Sequence, residues 1–340
     1  MIKMDQTLVI PYGYKSKLNL MHTEIAINEL KNHFEDHFAR ALNVIKVSAP
    51  LLLNEGTGIN DNLNGIERTV SFQASDINNS QIEVVQSLAK WKRIALARYG
   101  FASGEGLYTN MNAIRRDEVL DNLHSLYVDQ WDWEKVISKE QRNFDTLKTE
   151  VKRIYEAMKA TENYMHQFHP ALQPILPDDI YFITTQELED LYPSLTPKQR
   201  EDAIAKEHKA VFVMQIGGAL RSGDKHDGRS PDYDDWALNG DIIFWNPLLE
   251  RAFEVSSMGI RVDKKTLLKQ LKLANNEERR VLAYHQAILS ENLPYTIGGG
   301  IGQSRLCMFF LKKAHIGEVQ ASIWNHQILK ECEENNITLL

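Results

Sequence analysis

The chain predicts an α+β fold, on three observations. Strand-forming runs gather in its middle, amphipathic helical patterns stand towards both ends, and no regular strand–helix–strand alternation connects them. Leu20 to Leu42 reads as a helix, with Ile25, Ile27, Leu30, Phe34, Phe38 and Leu42 as its apolar stripe. Val44 to Pro50 reads as a strand ended by proline. The polar, glycine-punctuated Asn54 to Gly65 reads as a loop. Ile82 to Arg93 is apolar at one end and basic at the other, and Leu123 to Val136 reads as a strand. Asp145 to Phe168 is the clearest amphipathic helix, with Leu147, Val151, Ile154, Met158 and Met165 at helical spacing. Val211 to Ile216 looks like a buried strand, Ser222 to Asp235 like a hydrophilic loop, and Asn239–Trp245 and Ala252–Val262 like strands. Asp263 can cap a helix running to Leu273, and Glu277 to Leu289 predicts another. Thr296 to Arg305 holds four glycines in five residues and predicts a turn before an apolar helix, Leu306 to Leu311.

Composition narrows the function classes. The 340 residues are 43% hydrophobic and 25% charged, the balance of an ordinary globular chain. A net charge of −7 without a Lys/Arg block argues against nonspecific nucleic-acid binding. Met1 to Gln6 shows no signal-peptide pattern, and no apolar run is long enough to span a membrane. The two cysteines, Cys307 and Cys332, lack metal-ligand spacing and suit a reducing cytosol. The expectation is a cytoplasmic enzyme built as a single catalytic domain over residues 1–340.

Several clusters can carry chemistry. On the strand through Tyr127 to Glu134, Gln130, Asp132 and Glu134 share one face, and Trp131 and Trp133 share the other. Carboxylates backed by tryptophans are costly to bury without partners, so the polar face reads as a site floor for an amino group or a metal; a solvated edge strand is the alternative. Asp241 and Glu254 lie on two runs separated by Asn246-Pro247, and an antiparallel hairpin would let both reach one cation, with oxygen ligands suited to Mg²⁺ on phosphates. They fit surface acids equally well. Arg115-Arg116-Asp117-Glu118 is either a solvated turn or a phosphate-facing arginine. Lys90-Trp91-Lys92-Arg93 suits a nucleic-acid patch, a phosphate site or a helix end whose cations reach solvent, and the net charge of −7 favours the last two. Asp61 reads locally as a turn residue, with a carboxylate closing over a substrate amine as the alternative. Asp232, Asp234 and Asp235 read as solvated loop acids, with a lid as the alternative. The glycine stretch leaves room for phosphate, and Arg305 adds a guanidinium fork in the first turn that follows.

The order of these pieces resembles a known family. The first helix and the strand ending at Pro50 resemble motif 1 of class II aminoacyl-tRNA synthetases, Arg115-x-Asp-Glu118 resembles motif 2, and Gly298 to Arg305 resembles motif 3. More closely, the chain resembles the ammonia-dependent asparagine synthetases of type A, the aspartate–ammonia ligases, over nearly its whole length. Ser87-Leu-Ala-Lys-Trp-Lys-Arg93, Gly104-Glu-Gly-Leu-Tyr-Thr109, Tyr127-Val-Asp-Gln-Trp-Asp-Trp-Glu134, Pro231-Asp-Tyr-Asp-Asp-Trp236, Asn239-Gly-Asp241 and Ser256-Ser-Met-Gly-Ile-Arg-Val262 carry that resemblance. One departure is a short link, Ala237-Leu238, between the fourth and fifth of these stretches.

The resemblance implies a mainly antiparallel eight-stranded sheet flanked by helices, acting as a homodimer, without a separate anticodon-binding or glutaminase domain. It implies conversion of L-aspartate, ATP and ammonia to L-asparagine, AMP and pyrophosphate, with Mg²⁺ as cofactor. A tRNA-charging enzyme and an inactive amino-acid or nucleotide-binding regulator are the alternatives on the same core. Carried over by position, Arg115 would hold the α-phosphate and the carboxylate being activated, and Arg305 would contact the γ-phosphate or cover the adenine. Glu118, Ser257, Gly300 and Gly302 would also bind ATP, and Asp241 and Glu254 would do so by holding Mg²⁺. Ser87, Gln130, Asp132 and Arg261 would read aspartate. Lys92 would offset its charge, and Asp61 would take the proton from ammonium.

Overall fold

A computed structural model describes residues 8–61, 67–77 and 79–340; Met1 to Gln6 and the Asn62–Gly65 end of the expected loop lie outside the described residues. In chain order the first half forms α1 (Leu20–Leu42), β1 (Val44–Lys46), β2 (Leu52–Asn54), β3 (Ser71–Ala74), β4 (Ser80–Val84), α2 (Ala89–Tyr99), β5 (Gly106–Ile114), β6 (Tyr127–Val136) and α3 (Phe144–Phe168). There follow β7 (Tyr181–Thr184), α4 (Thr185–Leu191), α5 (Pro197–His208), β8 (Ala210–Met214), β9 (Asp234–Asn246) and β10 (Arg251–Arg261). The last part forms α6 (Lys264–Leu273), a 3-10 turn (Glu277–Val281), α7 (Ala283–Leu289), β11 (Thr296–Gly302), α8 (Gln303–Phe310) and α9 (His326–Glu334).

An eight-stranded sheet runs β1-β5-β6-β11-β10-β9-β8-β7, and β2-β4-β3 make a small second sheet. The central pairings from β5 to β8 are antiparallel, and only the outer pairs β1/β5 and β7/β8 are parallel. The α+β expectation and the mainly antiparallel eight-stranded sheet are both met.

Local chemistry explains most boundaries. Asn19 caps α1 by accepting from the His22 amide, and Asn43 closes it in the left-handed conformation. Asn143 caps α3, Asp263 caps α6, and Thr196 with Gln199 forms a capping box before Pro197 on α5. The buried stripe of α1 runs through Ala26, Ile27, Leu30, Phe34, Phe38 and Leu42, whereas Ile25 lies outside it and is exposed.

Four expected boundaries need correction. The expected strand at Val44–Pro50 pairs only through Lys46, that at Leu123–Val136 begins at Tyr127, and the helix expected over Glu277–Leu289 is split at Leu282. The largest change concerns the glycines. They form no turn: Thr296–Gly302 is a central strand between β6 and β10, and the helix begins at Gln303. Glycine disfavours strands by entropy, but the neighbours here leave no room for a side chain. A Cβ at Gly300 would sit 2.5 Å from Gln130 Oε1, and one at Gly298 would overlap the Glu134 carboxylate.

The two faces of the sheet differ. Trp131, Trp133, Met258, Ile260, Ile297 and Ile301 point into the main core with the apolar sides of α1, α3 and α8. On the opposite face, α2 covers one end, α4 and α5 the other, and α6 and α7 pack behind Val262. Between those helices the face is polar and open.

Candidate active site

The open part of that face is a cleft of about 390 Å³. Strand alternation supplies its floor. Gln130 and Asp132 stand on β6 opposite Gly302 and Gly300 of β11, and side-chain-free β11 makes the floor low at its centre. Ser256, Ser257 and Arg261 of β10 continue it. Ser87 and Lys92, before and within α2, form one wall, and Arg115 and Glu118, following β5, form another. Arg305 stands in the first turn of α8, as expected, and donates from Nη1 to the Glu254 carbonyl at 3.0 Å.

Asp241 and Glu254 share the floor's face through a β-bulge. Asp241 pairs with Ser257 and Glu254 with Ile243, and the extra residue Val255 between them shifts the register. Residues 254 and 257, three apart, therefore point the same way, where a regular strand would set them on opposite faces. The hairpin expected from the sequence is present. The Asp241 carboxylate, however, lies beneath the cleft surface, because Arg229 spans it: Nη2 donates to Asp241 at 2.6 Å and Nη1 to Ser257 Oγ at 2.6 Å. Burial pushes the Asp241 carboxyl up to about 6, Arg229 opposes this, and Glu254 adds to it. Two carboxylates on one face supply the oxygen donors that suit Mg²⁺, with Arg229 already on one Asp241 oxygen.

The α2 cations correct an expectation. Lys90, Lys92 and Arg93 are all buried, so this is not a helix end whose cations reach solvent. Lys92 Nζ donates to Asp132 Oδ1 and, at 2.8 Å, to the Gly299 carbonyl. Burial lowers the Lys92 pKa, with Asp132 opposing. Arg93 donates to the carbonyls of Pro294 and Val262. Arg261, expected to meet substrate, lines the cleft with its charge already offset: it donates to both Glu134 oxygens and to Asp234.

The loop acids also differ from expectation. The loop ends at Tyr233 because Asp234 opens β9, and Asp232, Asp234 and Asp235 are buried rather than solvated. Asp61 is buried too, 1% exposed, and so is no surface turn residue. It lies behind Ser230, whose hydroxyl is 3.4 Å from Asp61 Oδ1.

Several buried polar atoms around the cleft lack protein partners: both side-chain atoms of Gln86, Asp132 Oδ2, Arg115 Nε and Arg229 Nε. Buried donors and acceptors are normally satisfied; other unpartnered atoms are scattered through the protein, but these five belong to residues that line one space. They suit a ligand bearing an amino group and several anionic oxygens.

Comparison with known proteins gives the family. A family model for aspartate–ammonia ligase matches residues 21–336. The chain belongs to the aspartate–ammonia ligase family. An aspartate–ammonia ligase from Clostridium tetani is 61% identical over 100% of this chain and 99% of its own. One from Clostridium perfringens is 63% identical over 98% of this chain and all of its own. Among solved structures, an asparaginyl-tRNA synthetase from Pyrococcus horikoshii with asparaginyl-adenylate superposes with a TM-score of 0.64 at 15% identity, covering 89% of this chain and 70% of that one. The Entamoeba histolytica asparaginyl-tRNA synthetase with asparaginyl-adenylate gives 0.61 at 12%, covering 88% and 66%. At such identities the structures show a shared fold, that of class II synthetase catalytic cores.

Sequence reasoning missed Arg229 and left Gln86 without a role. Arg229 lies in a polar loop, where a lone arginine carries no signal until the loop is folded over β9 and β10. Gln86 directly precedes the Ser87–Arg93 stretch and carries no signal of its own in the sequence.

Proposed function

We propose that this cleft carries out the ATP-dependent synthesis of L-asparagine, the family's activity, by activating the β-carboxylate of L-aspartate as an adenylate. The convergence of unpartnered buried groups on the glycine-floored cleft carries this reading. Asp132 Oδ2, with Gln130 and Ser87 beside it, would accept the aspartate amino group. Lys92 and Arg261 would balance its carboxylates, Arg261 on the α-carboxylate side.

A carboxylate resists nucleophiles because it is anionic. In the first step a β-carboxylate oxygen attacks the α-phosphorus of ATP, and the bond from that phosphorus to the bridging oxygen breaks, with pyrophosphate keeping the electron pair. Arg115 would hold the α-phosphate and the carboxylate in line, with Glu118 fixing the Arg115 side chain from 3.9 Å. Arg305 would contact the γ-phosphate or cover the adenine, with Ser257 and the backbone at Gly300 and Gly302 giving the nucleotide room. Asp241 and Glu254 would hold Mg²⁺, which when bound would offset charge building on pyrophosphate. Among the described residues no group of three or more His, Cys, Asp or Glu could hold a metal, so substrate oxygens and water would complete the shell.

In the second step ammonium gives one proton to the Asp61 carboxylate. The freed nitrogen lone pair attacks the acyl carbon, the bond to the AMP oxygen breaks, and AMP leaves with that pair; the second proton passes to solvent. The sum is aspartate, ATP and ammonia to asparagine, AMP and pyrophosphate. Desolvated, precisely oriented charges make such displacements fast.

We also propose a homodimer through the α1–β1 region. The exposed apolar side chains of Leu20, Met21, Ile25 and Ile45 there support it. Both cysteines are free and buried, which supports work in the reducing cytoplasm, and the net charge of −7 supports a chain without a nucleic-acid partner. No helix among the described residues is long and apolar enough to cross a membrane.

AMP formation with aspartate plus ammonium, glutamine or tRNA, run in parallel, tests the reading. Release requiring aspartate and ammonium is expected. A requirement for tRNA, or no turnover with all three substrates, would overturn it.

A further inference from the structure

A buried ionic cluster adjoins the cleft behind Ser230. Its centre is Asp232, which has no exposed surface. Asp232 Oδ1 accepts from Ser230 Oγ at 2.8 Å. Its Oδ2 lies 3.0 Å from Lys90 Nζ, 3.0 Å from His285 Nε2 and 3.1 Å from Arg279 Nη1. These partners come from α2 and, far along the chain, from α7 and the 3-10 turn just before it.

Asp61 is the second carboxylate in the cluster, and the partners are divided unequally. Ser230 Oγ is 3.4 Å from Asp61 against 2.8 Å from Asp232, and Lys90 Nζ is 3.9 Å from Asp61 against 3.0 Å from Asp232. A hydroxyl has one proton, so Ser230 donates to Asp232. Two carboxylates and two fixed cations, Lys90 and Arg279, could pair one to one; both cations sit on Asp232 instead. Asp61 Oδ2 is left buried with no hydrogen-bond partner.

We propose that Asp232 is a positioning residue for amination: it draws Lys90 and the Ser230 hydroxyl away from Asp61 and so leaves the Asp61 carboxylate free to accept a proton. This rests on the reading of Asp61 as the acceptor of the ammonium proton. Charged and titratable groups face Asp61 from every side: Lys90 on α2, Asp232 and Tyr233 before β9, Arg279 on the 3-10 turn, Arg115 after β5, and His285 through Asp232. Residues 62–66, which follow Asp61, contain no titratable side chain. Burial raises the Asp61 carboxyl to about 6, Lys90 opposes this and Asp232 adds to it. Such a carboxylate is ionised at neutral pH yet basic enough to take up a proton in a transition state. Moving Lys90 onto it would make it a weaker base.

The test compares two half-reactions. Aspartate-dependent exchange of pyrophosphate into ATP reads adenylation without ammonia. Asparagine formation at saturating ammonium, followed against pH, reads amination. In Asp232→Asn, loss of the neighbouring negative charge and release of Lys90 both lower the Asp61 pKa. The acidic limb of amination should move down by about one pH unit and the rate at neutral pH should fall about tenfold, with exchange retained. Hydroxylamine, largely unprotonated at neutral pH, should lose far less. Arg279→Gln, on the cluster's outer side, removes a cation that lowers the Asp61 pKa, so its limb should move up. Limbs that stay in place in both variants, or both move the same way, would overturn the proposal. Asp61→Asn separates the two readings. If it keeps ammonium-dependent turnover and the same acidic limb, the base assignment itself fails. If it loses them while Asp232→Asn keeps the wild-type limb, only the role of Asp232 fails.

Discussion

The two faces of the central sheet carry opposite chemistry on the same strands. On β6, Trp131 and Trp133 enter a dry core while Gln130, Asp132 and Glu134 face the site side. On β10, Met258 and Ile260 alternate with Ser257 and Arg261. The apolar face is held by contact area, and its side chains can be large because nothing else must fit. The polar face is held by directed pairs such as Arg261 with Glu134 and Asp234, and it keeps some groups unsatisfied. One face holds the fold together, and the other gives up some of that stability to keep a place for ligands.

Substitutions should separate the two faces, the largest effect first. Trp133→Ala removes a fully buried ring from the apolar face and should cost ~3–5 kcal/mol of stability, read as a lower denaturation midpoint, with near-normal turnover in the fraction still folded. Arg305→Ala on the polar face should do the reverse: ATP-dependent turnover falls ~10²–10³-fold, equivalent to ~2.7–4 kcal/mol by analogy with a lost oxyanion donor, at an almost unchanged melting temperature. Near-normal activity would remove its assigned role. Gly300→Ala places a methyl 2.5 Å from Gln130 Oε1 and should displace that amide, raising the KM for aspartate about tenfold, ~1.4 kcal/mol, more than it lowers kcat.

The smallest effect is a pH dependence. Asp61 has a folded-state pKa raised to about 6 from 3.8, so the folded protein holds a proton there that the unfolded chain has released. That group's contribution to stability is greatest below pH 4 and declines as pH rises to about 6. Asp61→Asn removes the decline, so the variant should gain stability relative to the unmodified protein between pH 4 and 7. Parallel stability curves for the two proteins would contradict the raised pKa.

The sequence was most informative where the signal is local. The α1 and α3 patterns, the Asp263 cap and the alternation through Gln130 to Glu134 were all legible, because helix period, cap chemistry and strand period act over a few residues. The glycines misled, since flexibility suggests a turn; only their neighbours, Gln130 and Glu134, show that they keep a central strand low. Asp232, Asp234 and Asp235 look solvated in a polar run, and burial becomes visible only when Lys90, His285, Arg279 and Arg261 reach them from distant segments.

By itself the sequence determined the class of fold, the faces of its strands, the family, and several of the groups that line the cleft, among them Ser87, Lys92, Arg115, Gln130, Asp132 and Arg305. The tertiary structure decided which of those groups are free. Arg229 on Asp241, Lys92 on Asp132 and the unequal sharing of Lys90 between Asp232 and Asp61 are all contacts between different elements of the fold. Side-chain type is a property of one position, whereas pairing, burial and pKa depend on which distant charges the fold brings within a few ångströms in a site with little water.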